Sequence, residues 1–397
     1  MFERPEYLNQ LIKFKDTDFI KVITGVRRSG KSVLLMLFQE HLIKEGVPDD
    51  HIIYMNFESF EYQTITTEEK FREKLNELLP KDTKKIYLLF DEIQVVEGWQ
   101  RVINGIRVSF DSDIVITGSN ANMLSGELAT LLSGRYIEIP IYPFSFQEFL
   151  NVKGIELNSR KVDIAYDEYE KYGGFPSVTI AEESIKDTIL SGIFDTIVLN
   201  DVALRSGIKD PTALKSIISF LADNVGQLVN TSKIVNTLKN EGIETTNHTV
   251  NRYLDLLESG YLFYRTKQYD IRGREYFRTN GKYFIVDTGL RRNAVGRKDG
   301  NYSNRLENIV YIELLRRGYT VDVGKLDTKE IDFVARRLDE TLYVQVTYEL
   351  PNNSHETDNL LHIKDNYKKI VVTGKYHDIE QIDGIPIVYI ADWLLEK

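Results

Sequence analysis

The fold is decided by the stretch FIKVITGVRRSGKSVLLMLF, which spans residues 19–38. Residues 19–24 predict a short apolar strand, and residues 32–38 predict the first turns of a helix. The segment between them, residues 25–32, fits the pattern G-x-x-x-x-G-K-[ST] of a phosphate-binding P-loop. A strand before the loop and a helix after it are the context in which this pattern is specific.

The residue types in this loop suit the binding of a phosphate group. Gly25 and Gly30 allow backbone conformations that let consecutive N–H groups point inward around an anion. The helix N-terminus adds to this cradle, Lys31 is expected to reach the β- and γ-phosphates, and Ser32 is expected to bind Mg²⁺. The loop residues expected to contact nucleotide are Gly25, Val26, Arg27, Arg28, Ser29, Gly30, Lys31 and Ser32. For Arg27 and Arg28, phosphate contact and simple solvation both stay open.

A second motif, KIYLLFDE at residues 85–92, predicts a buried parallel strand that ends in a carboxylate pair. Asp91 would leave this strand at its carboxyl end, where parallel α/β sheets bind ligands. This is the Walker B pattern. It predicts that Asp91 binds the Mg²⁺ shell and that Glu92 activates the attacking water as a general base.

Two further predicted strands refine the class of nucleotide site. Residues 113–117 form a strand that ends near Ser119 and Asn120, the candidates for a sensor of the γ-phosphate; Asn120 is alternatively a helix cap. Residues 52–57 form a strand between the two Walker motifs, which favours the P-loop ATPases with an inserted strand over kinases and small GTPases. Since no Asn-Lys-x-Asp run is present to read guanine, the expected cofactors are ATP and Mg²⁺.

Arg135 stands at the start of the last predicted strand of this sheet. An arginine there could stabilise transition-state charge, from the same chain or from a neighbouring subunit of an oligomer. A structural salt bridge is the alternative.

Composition bounds the remaining possibilities. The chain has 397 residues, no cysteine and a net charge of −10, which predicts a soluble protein of two or three domains without disulfides. No apolar run is long enough for a membrane span, and the N-terminus does not resemble a signal peptide, so we expect no membrane and a cytoplasmic location. Residues 265–298 nevertheless carry ten basic and three acidic side chains, a net +7. This segment is either a solvated surface or a DNA contact.

Residues 212–265 predict a winged helix. Helices are expected to begin near Thr212, at Thr231 or Ser232, and at Thr245 or Thr246, and a strand follows from Tyr261. A basic turn, residues 272–274, would form the wing tip. In a DNA-binding version the third helix enters the major groove, and its exposed candidates are Asn247, His248, Asn251 and Arg252. Packing between domains is the alternative role.

The C-terminal third predicts a helix near residues 305–315 and strands near residues 320–323, 330–335 and 342–347. Asp332 and Gln345 at neighbouring strand ends, with a helical Glu307, resemble the metal-binding core of restriction-endonuclease-like folds. Thr347 stands where such folds carry a lysine, and a hydroxyl cannot supply the ammonium charge. We therefore expect the fold with a vestigial nuclease site.

Taken together, the chain resembles a family of prokaryotic AAA-like ATPases with a C-terminal domain of unknown function. The resemblance is carried by residues 25–32, 91–94, 117–119, 132–135, 142–146, 173–176 and 330–333. It implies an α/β protein with a P-loop ATPase domain at residues 1–145, a helical and winged-helix region at 146–275, and a nuclease-like domain at 276–397. The expected function is an ATP-hydrolysing switch that acts on DNA or a protein partner. The alternatives are an ATP-gated, metal-dependent nuclease and an ATP-binding scaffold with negligible turnover.

Overall fold

A computed structural model describes residues 2–124, 134–157, 159–204, 208, 211–296, 302–350 and 355–396. The chain divides into two compact units. Unit 1 contains Met1–Tyr142 and Ser259–Tyr261, and unit 2 contains Pro143–Glu258 and Leu262–Lys397.

Unit 1 is an α/β unit built on a five-stranded sheet in which every neighbouring pair is parallel. The strand order is β2-β3-β4-β1-β5. Its helices and strands are, in chain order, α1 (Pro5–Lys13), β1 (Ile20–Thr24), α2 (Lys31–Lys44), β2 (Ile52–Asn56), α3 (Glu68–Leu78), β3 (Ile86–Asp91), α4 (Trp99–Ser109), β4 (Ser112–Gly118) and β5 (Tyr136–Pro140). Short 3₁₀ turns lie at Asp49–His51, Ile93–Val95 and Ala121–Leu124.

The central strands of this sheet are buried because most of their side chains are apolar on both faces; the charges of Lys21 and Asp113 are paired at 2.7 Å. Every residue of β1 and of β3 is buried. Alternate side chains of a strand point to opposite faces, so the sheet supports two separate cores. One core contains Val22, Leu88 and Ile116, and the other contains Ile23, Leu89 and Val115. Burial on both faces is typical of parallel sheets, and it holds the ends of the strands in place.

Unit 2 begins with helices and continues into a large sheet. Its elements are α5 (Phe146–Lys153), α6 (Ser159–Tyr172), α7 (Pro176–Thr179), α8 (Glu183–Asp195), a π-helix (Thr196–Leu204), α9 (Thr212–Asp223), β6 (Leu228–Val229), α10 (Thr231–Asn240), α11 (Asn247–Ser259), β7 (Phe263–Asp270), β8 (Glu275–Ile285), α12 (Thr288–Val295), α13 (Tyr302–Arg316), β9 (Thr320–Leu326), β10 (Lys329–Arg337), β11 (Glu340–Thr347), α14 (His355–Leu361), β12 (Lys368–Thr373), β13 (Gln381–Ile382), β14 (Ile385–Tyr389) and α15 (Ile390–Leu395).

The predicted boundary at residues 275/276 is wrong because it cuts a β-hairpin. Strands β7 and β8 pair antiparallel, with Tyr269 opposite Tyr276 and Asp270 opposite Glu275. Strand β7 also pairs in parallel with β9, so the hairpin joins the C-terminal strands in one nine-stranded sheet of order β13-β14-β12-β11-β10-β9-β7-β8-β6. The expected helical region and C-terminal domain therefore form a single unit. The predicted boundary at 145/146 lies three residues from the division between the units.

The helices expected in residues 212–265 are present, with one correction to their caps. Helix α10 is capped by Asn230, whose side chain accepts a hydrogen bond from the Lys233 N–H at 2.8 Å, and not by Thr231 or Ser232. Before α11, the Thr246 hydroxyl accepts from the Thr249 N–H at 3.2 Å. The basic turn at residues 272–274 connects β7 to β8, as expected for a wing tip.

The Gly-Gly-Phe-Pro segment at residues 173–176 has a specific packing role within unit 2. Asp287 caps α12 and accepts hydrogen bonds from the backbone N–H groups of Gly174, Gly289 and Leu290. Gly173 adopts φ 74°, and a Cβ on it would lie 2.0 Å from the Asp287 carboxylate. Glycine is required here because the carboxylate, held by three N–H groups, cannot move aside.

We predict that Gly173→Ala lowers the free energy of unfolding of unit 2 by about 3 kcal/mol or more, from left-handed strain plus the steric clash. Gly154→Ala is the matched control, since Gly154 also has positive φ (63°) but a Cβ there would meet nothing within 4 Å. The control should lose only about 1–2 kcal/mol. Urea unfolding followed by circular dichroism measures both, and equal losses would show that the Asp287 contact is unimportant.

Candidate functional site

The candidate site lies where the strands of the unit 1 sheet end. The parallel register places Asn56 beside Asp91 and Thr24 beside Gly118. The carboxyl ends of β1, β2, β3 and β4 therefore share one edge, where parallel sheets bind ligands. The P-loop follows β1 at this edge, and Asp91 and Glu92 follow β3.

The two loop glycines are fixed by geometry. Gly25 adopts φ 136°, and a Cβ on it would lie only 2.1 Å from the Ile141 carbonyl oxygen. Gly30 adopts φ 103° at the position where α2 begins. The loop thus turns sharply into the N-terminus of a 14-residue helix, which supplies free N–H groups and the positive end of its dipole to an anion.

Lys31 is buried at this helix start and lies close to the loop backbone. Its ammonium donates to the carbonyl oxygens of Gly25 at 3.0 Å and Val26 at 3.2 Å. It also lies 3.5 Å from Glu92 Oε1. The structure therefore brings the predicted lysine and the predicted base together.

Asp91 is the centre of a hydrogen-bond network. Its Oδ1 accepts from the Thr117 hydroxyl at 2.6 Å, and its Oδ2 accepts from Asn56 at 3.1 Å and Tyr54 at 3.3 Å. Burial raises the pKa of Asp91 above its usual value, while hydrogen bonds from Ser32 and Thr117 favour the ionised form. Ser32 on α2 and Asp91 on β3 are thus in direct contact, as a shared Mg²⁺ site requires.

Glu92 is held both through its backbone N–H group and through its carboxylate. Its backbone adopts φ 54°, and its N–H donates to the Thr117 hydroxyl at 2.9 Å. Its Oε2 accepts from the Ser119 hydroxyl at 3.0 Å and from the Gln94 amide. Burial alone would raise the pKa of Glu92, but the Lys31 ammonium and the Gln94 hydrogen bond lower it below the usual value. The carboxylate is therefore ionised at neutral pH.

Arg4 contacts the P-loop, although no motif in the sequence predicts this contact. Its buried guanidinium donates to the Ser29 carbonyl in the P-loop and to the Tyr142 carbonyl, each at 2.9 Å, and packs over the Tyr7 ring. Tyr142 is the last residue of unit 1 before the chain enters unit 2. Within unit 1, Arg4 therefore ties the conformation of the loop to the residue at which the unit ends.

The other residues predicted to contact the nucleotide are Arg27, Arg28, Ser119 and Asn120. Arg27 forms an ion pair with Glu58 at 2.7 Å. The Arg28 side chain is exposed, and the Arg28 backbone adopts φ 66°. Ser119 contacts Glu92, whereas the half-buried Asn120 accepts the Met123 N–H with its backbone carbonyl. The sensor role of Ser119 and Asn120 stays a prediction.

Arg135 is not at the P-loop edge of its own chain. It precedes β5, which runs parallel to β1 with Tyr136 beside Ile20, and its carbonyl accepts the Ile20 N–H. The P-loop follows the opposite end of β1, one strand length or roughly 16 Å away. Because the starts and ends of parallel strands lie at opposite edges, the start of β5 lies away from the P-loop, and a role of Arg135 within the same chain stays a prediction. Its role toward a neighbouring subunit stays a prediction, and Leu132 and Ser133 of the same motif lie outside the described residues.

In unit 2, the predicted nuclease-like residues surround a lysine that the sequence pattern did not identify. The Lys282 ammonium on β8 lies 3.3 Å from Glu307, 2.8 Å from Glu330 and 3.9 Å from Asp332. Burial and the Asp332 carboxylate raise the pKa of Glu307 above its usual value, while the Lys282 ammonium opposes this by favouring the ionised form. Among the described residues, and with the Lys282 ammonium between these acids, no three His, Asp or Glu side chains form a group that could hold a metal ion as they stand.

The candidate DNA-contacting residues lie on the surface of α11. Asn247, His248, Asn251 and Arg252 are all exposed, and Asn251 accepts a hydrogen bond from Thr231 at 2.7 Å. Arg265, Lys267, Arg272 and Arg274 of the basic segment are also exposed, whereas Lys282 and Arg291 are buried. Arg297 and Lys298 lie outside the described residues.

The donor set of the unit 1 site fits a magnesium-bound nucleotide. The Ser32 hydroxyl and the Asp91 carboxylate are hard oxygen ligands of the kind that Mg²⁺ prefers. In the described part of the chain, the buried Ser29 hydroxyl in the P-loop and the Gln94 Oε1 beside Glu92 have no hydrogen-bond partner. Such polar atoms are costly when unpaired, so they are consistent with a polar ligand at this edge.

Comparison with known proteins supports this assignment. Residues 17–150 match the family described as AAA domain, and residues 164–301 match a domain of unknown function, DUF8612. An uncharacterized protein of Haemophilus influenzae is 66% identical over 396 residues, covering 100% of this chain and 99% of its own length. An uncharacterized protein of Methanocaldococcus jannaschii is 32% identical, covering 85% of this chain and 77% of its own length.

Among solved structures, a Walker-type ATPase of Pyrococcus abyssi is similar in fold. It has a TM-score of 0.50 and 14% identity, covering 74% of this chain and 96% of its own. This likeness concerns the fold, and it agrees with the P-loop ATPase sheet of unit 1. The nuclease-like character of the C-terminal region stays a prediction, since the family matched at residues 164–301 is described only as a domain of unknown function.

Within the described residues, the longest and most apolar helices fall short of what a bilayer crossing requires.

We predict that Thr117→Val lowers the free energy of unfolding by about 1–3 kcal/mol, because it leaves an Asp91 oxygen and the Glu92 N–H buried and unpaired. Valine has nearly the same shape, so packing is retained. Thr117→Ser keeps the hydroxyl and should lose less. Urea denaturation of the three proteins measures the difference, and a Thr117→Val protein as stable as the parent would contradict this account of the network.

Proposed function

Since this chain belongs to the same family as its relative from Haemophilus influenzae, and since its first unit carries an AAA domain, we propose that it is a magnesium-dependent ATP hydrolase that acts as a molecular switch. The observation that carries this proposal is the position of Glu92. Its ionised carboxylate lies 3.5 Å from Lys31 and is held by Ser119 and Gln94, next to the Asp91 and Ser32 pair.

The roles follow from this geometry. The γ-phosphate offers Lys31 charged acceptors that are stronger than the two loop carbonyls it contacts. Ser32 and Asp91 would hold Mg²⁺, and the ion would supply positive charge to the phosphate oxygens. Glu92, released from its ion pair with Lys31, accepts a proton from the attacking water, and Ser119 and Gln94 keep its carboxylate oriented. Asn120 is proposed to contact the γ-phosphate or this water, and Arg135 of a neighbouring subunit to stabilise transition-state charge.

The switch itself is proposed to work through the P-loop contacts with the end of unit 1. Gly25 packs on the Ile141 carbonyl, and Arg4 joins the Ser29 and Tyr142 carbonyls. A change in loop conformation on nucleotide binding would therefore alter the residues that precede Pro143. Unit 2 is the part of the chain expected to respond.

The Glu92→Gln variant tests the base assignment. It should release phosphate from ATP at least about 100-fold more slowly than the parent, the usual loss when a general base is removed. Binding of a fluorescent ATP analogue should persist, since Lys31, Ser32 and Asp91 are retained. Malachite-green phosphate assays and fluorescence titration measure the two quantities.

Glu40→Gln, on the exposed surface of α2, is the matched control and should hydrolyse ATP at the parental rate. A Glu92→Gln protein as active as this control would show that another group activates the water. Tight nucleotide binding by the parent with turnover near background would favour a scaffold without catalysis.

We further propose that the helices and hairpin of residues 212–285 form a winged helix that binds duplex DNA. The support is the order α9, β6, α10, α11, β7, β8, with β6 and β7 both pairing with β8. Exposed polar and basic side chains on α11 and in the wing turn add to it. A protein partner on the same surface is the alternative.

An Asn251→Ala/Arg252→Ala protein should bind a fluorescent DNA duplex about tenfold more weakly than the parent, because a lost base or phosphate contact is worth about 1–3 kcal/mol. Fluorescence anisotropy at several salt concentrations measures this affinity. Lys44→Ala, exposed in unit 1, is the control with an equal loss of positive charge and should bind normally. Parental affinity of the double variant, or absence of salt-dependent binding by the parent, would direct the proposal to a protein partner.

A further inference from the structure

Lys282 is a buried lysine of unit 2 that has no part in the proposed ATPase site. It is buried on β8, with 2% of its surface exposed, and three carboxylates approach its ammonium. They come from two other elements of unit 2: Glu307 from α13, and Glu330 and Asp332 from β10. Glu330 and Asp332 are two residues apart on one strand, so their side chains point to the same face.

A fourth oxygen belongs to the same face of the sheet. Strands β10 and β11 pair with Phe333 opposite Val344, and continuing this register places Gln345 opposite Asp332. Directly opposed residues project to the same side of an antiparallel pair. Gln345 is over nine-tenths buried, and its Oε1 has no hydrogen-bond donor among the described residues. An amide carbonyl oxygen can only accept, so it suits a hydrogen-bond donor or a cation.

Carboxylate and amide oxygens in this number are the ligands that Mg²⁺, Ca²⁺ and Mn²⁺ prefer. The cluster is also reachable, because the Glu330 side chain is 40% exposed. However, the ammonium already lies between the three carboxylates, at 2.8–3.9 Å from each. A divalent ion and an ammonium would repel each other strongly in this buried volume.

We propose that the Lys282 ammonium is a built-in cation that occupies the place of a divalent metal in an oxygen-donor site formed by Glu307, Glu330, Asp332 and Gln345. The site stabilises unit 2 by ion pairing, and it excludes metal as long as the lysine is present. One side chain of unit 2 therefore closes this oxygen-donor cluster to a divalent metal.

The test is Mn²⁺ binding to the nucleotide-free full chain, measured by isothermal titration calorimetry and by thermal unfolding. The parent should show no saturable binding that depends on Asp332. Lys282→Met keeps the apolar stem and removes the charge, so it should gain a single Mn²⁺ site. Since a ligand that binds only the folded state stabilises it, Mn²⁺ should raise the melting temperature of Lys282→Met and leave that of the parent unchanged.

Two controls separate the site from other effects. Lys267 is exposed on the neighbouring strand β7. The Lys267→Met protein loses the same charge and keeps the P-loop, and it should gain no Mn²⁺ site. The double variant Lys282→Met/Asp332→Asn should lose the Mn²⁺ response and be more stable than Lys282→Met without metal, because one uncompensated carboxylate has been removed.

Three results would overturn the proposal. One is saturable Mn²⁺ binding by the parent that Asp332→Asn abolishes. Another is a folded Lys282→Met protein with no new site. The third is metal-dependent DNA cleavage by the parent that is lost in Lys282→Met, which would assign the ammonium to nuclease catalysis. If Lys282→Met unfolds by itself, recovery of its fold by Mn²⁺ supports the proposal, and no recovery contradicts it.

Discussion

The nucleotide site depends on one buried carboxylate and the hydrogen bonds that hold it. Asp91 receives hydrogen bonds from Thr117, Asn56 and Tyr54, and it contacts Ser32 on α2. These partners come from the two strands that flank β3, which are β2 and β4, and from the helix that follows the P-loop. They converge because all strands of the sheet run in the same direction, so that their polar ends share one edge.

The same constraint organises the rest of unit 1. Thr117 holds Asp91 with its hydroxyl hydrogen and accepts the Glu92 N–H with its oxygen, so one side chain positions both acids. The P-loop is packed against Ile141 and joined through Arg4 to Tyr142. The P-loop and the end of unit 1 are therefore joined by direct contacts.

Sequence patterns predicted the parts of the site that are local. The P-loop and the strand ending in Asp91 are short motifs whose spacing reflects backbone geometry, so they could be recognised without the fold. Arg4 and Lys282 could not, because their partners are distant in the chain: Arg4 bonds a carbonyl 138 residues away. The edge of the sheet at which Arg135 lies could not be predicted either, since a short motif does not show which end of a strand it adjoins in the folded sheet. The predicted domain boundary failed because β7 pairs with both β8 and β9.

The edge of unit 1 is proposed to hydrolyse ATP, with Lys31 as the cation that binds phosphate. The most direct measurement is phosphate release from ATP by the purified full chain, with and without Mg²⁺, compared with Lys31→Met. We predict Mg²⁺-dependent release by the parent and release at background by the variant. Equal rates for the two proteins, or a parental rate that does not depend on Mg²⁺, would contradict the claim.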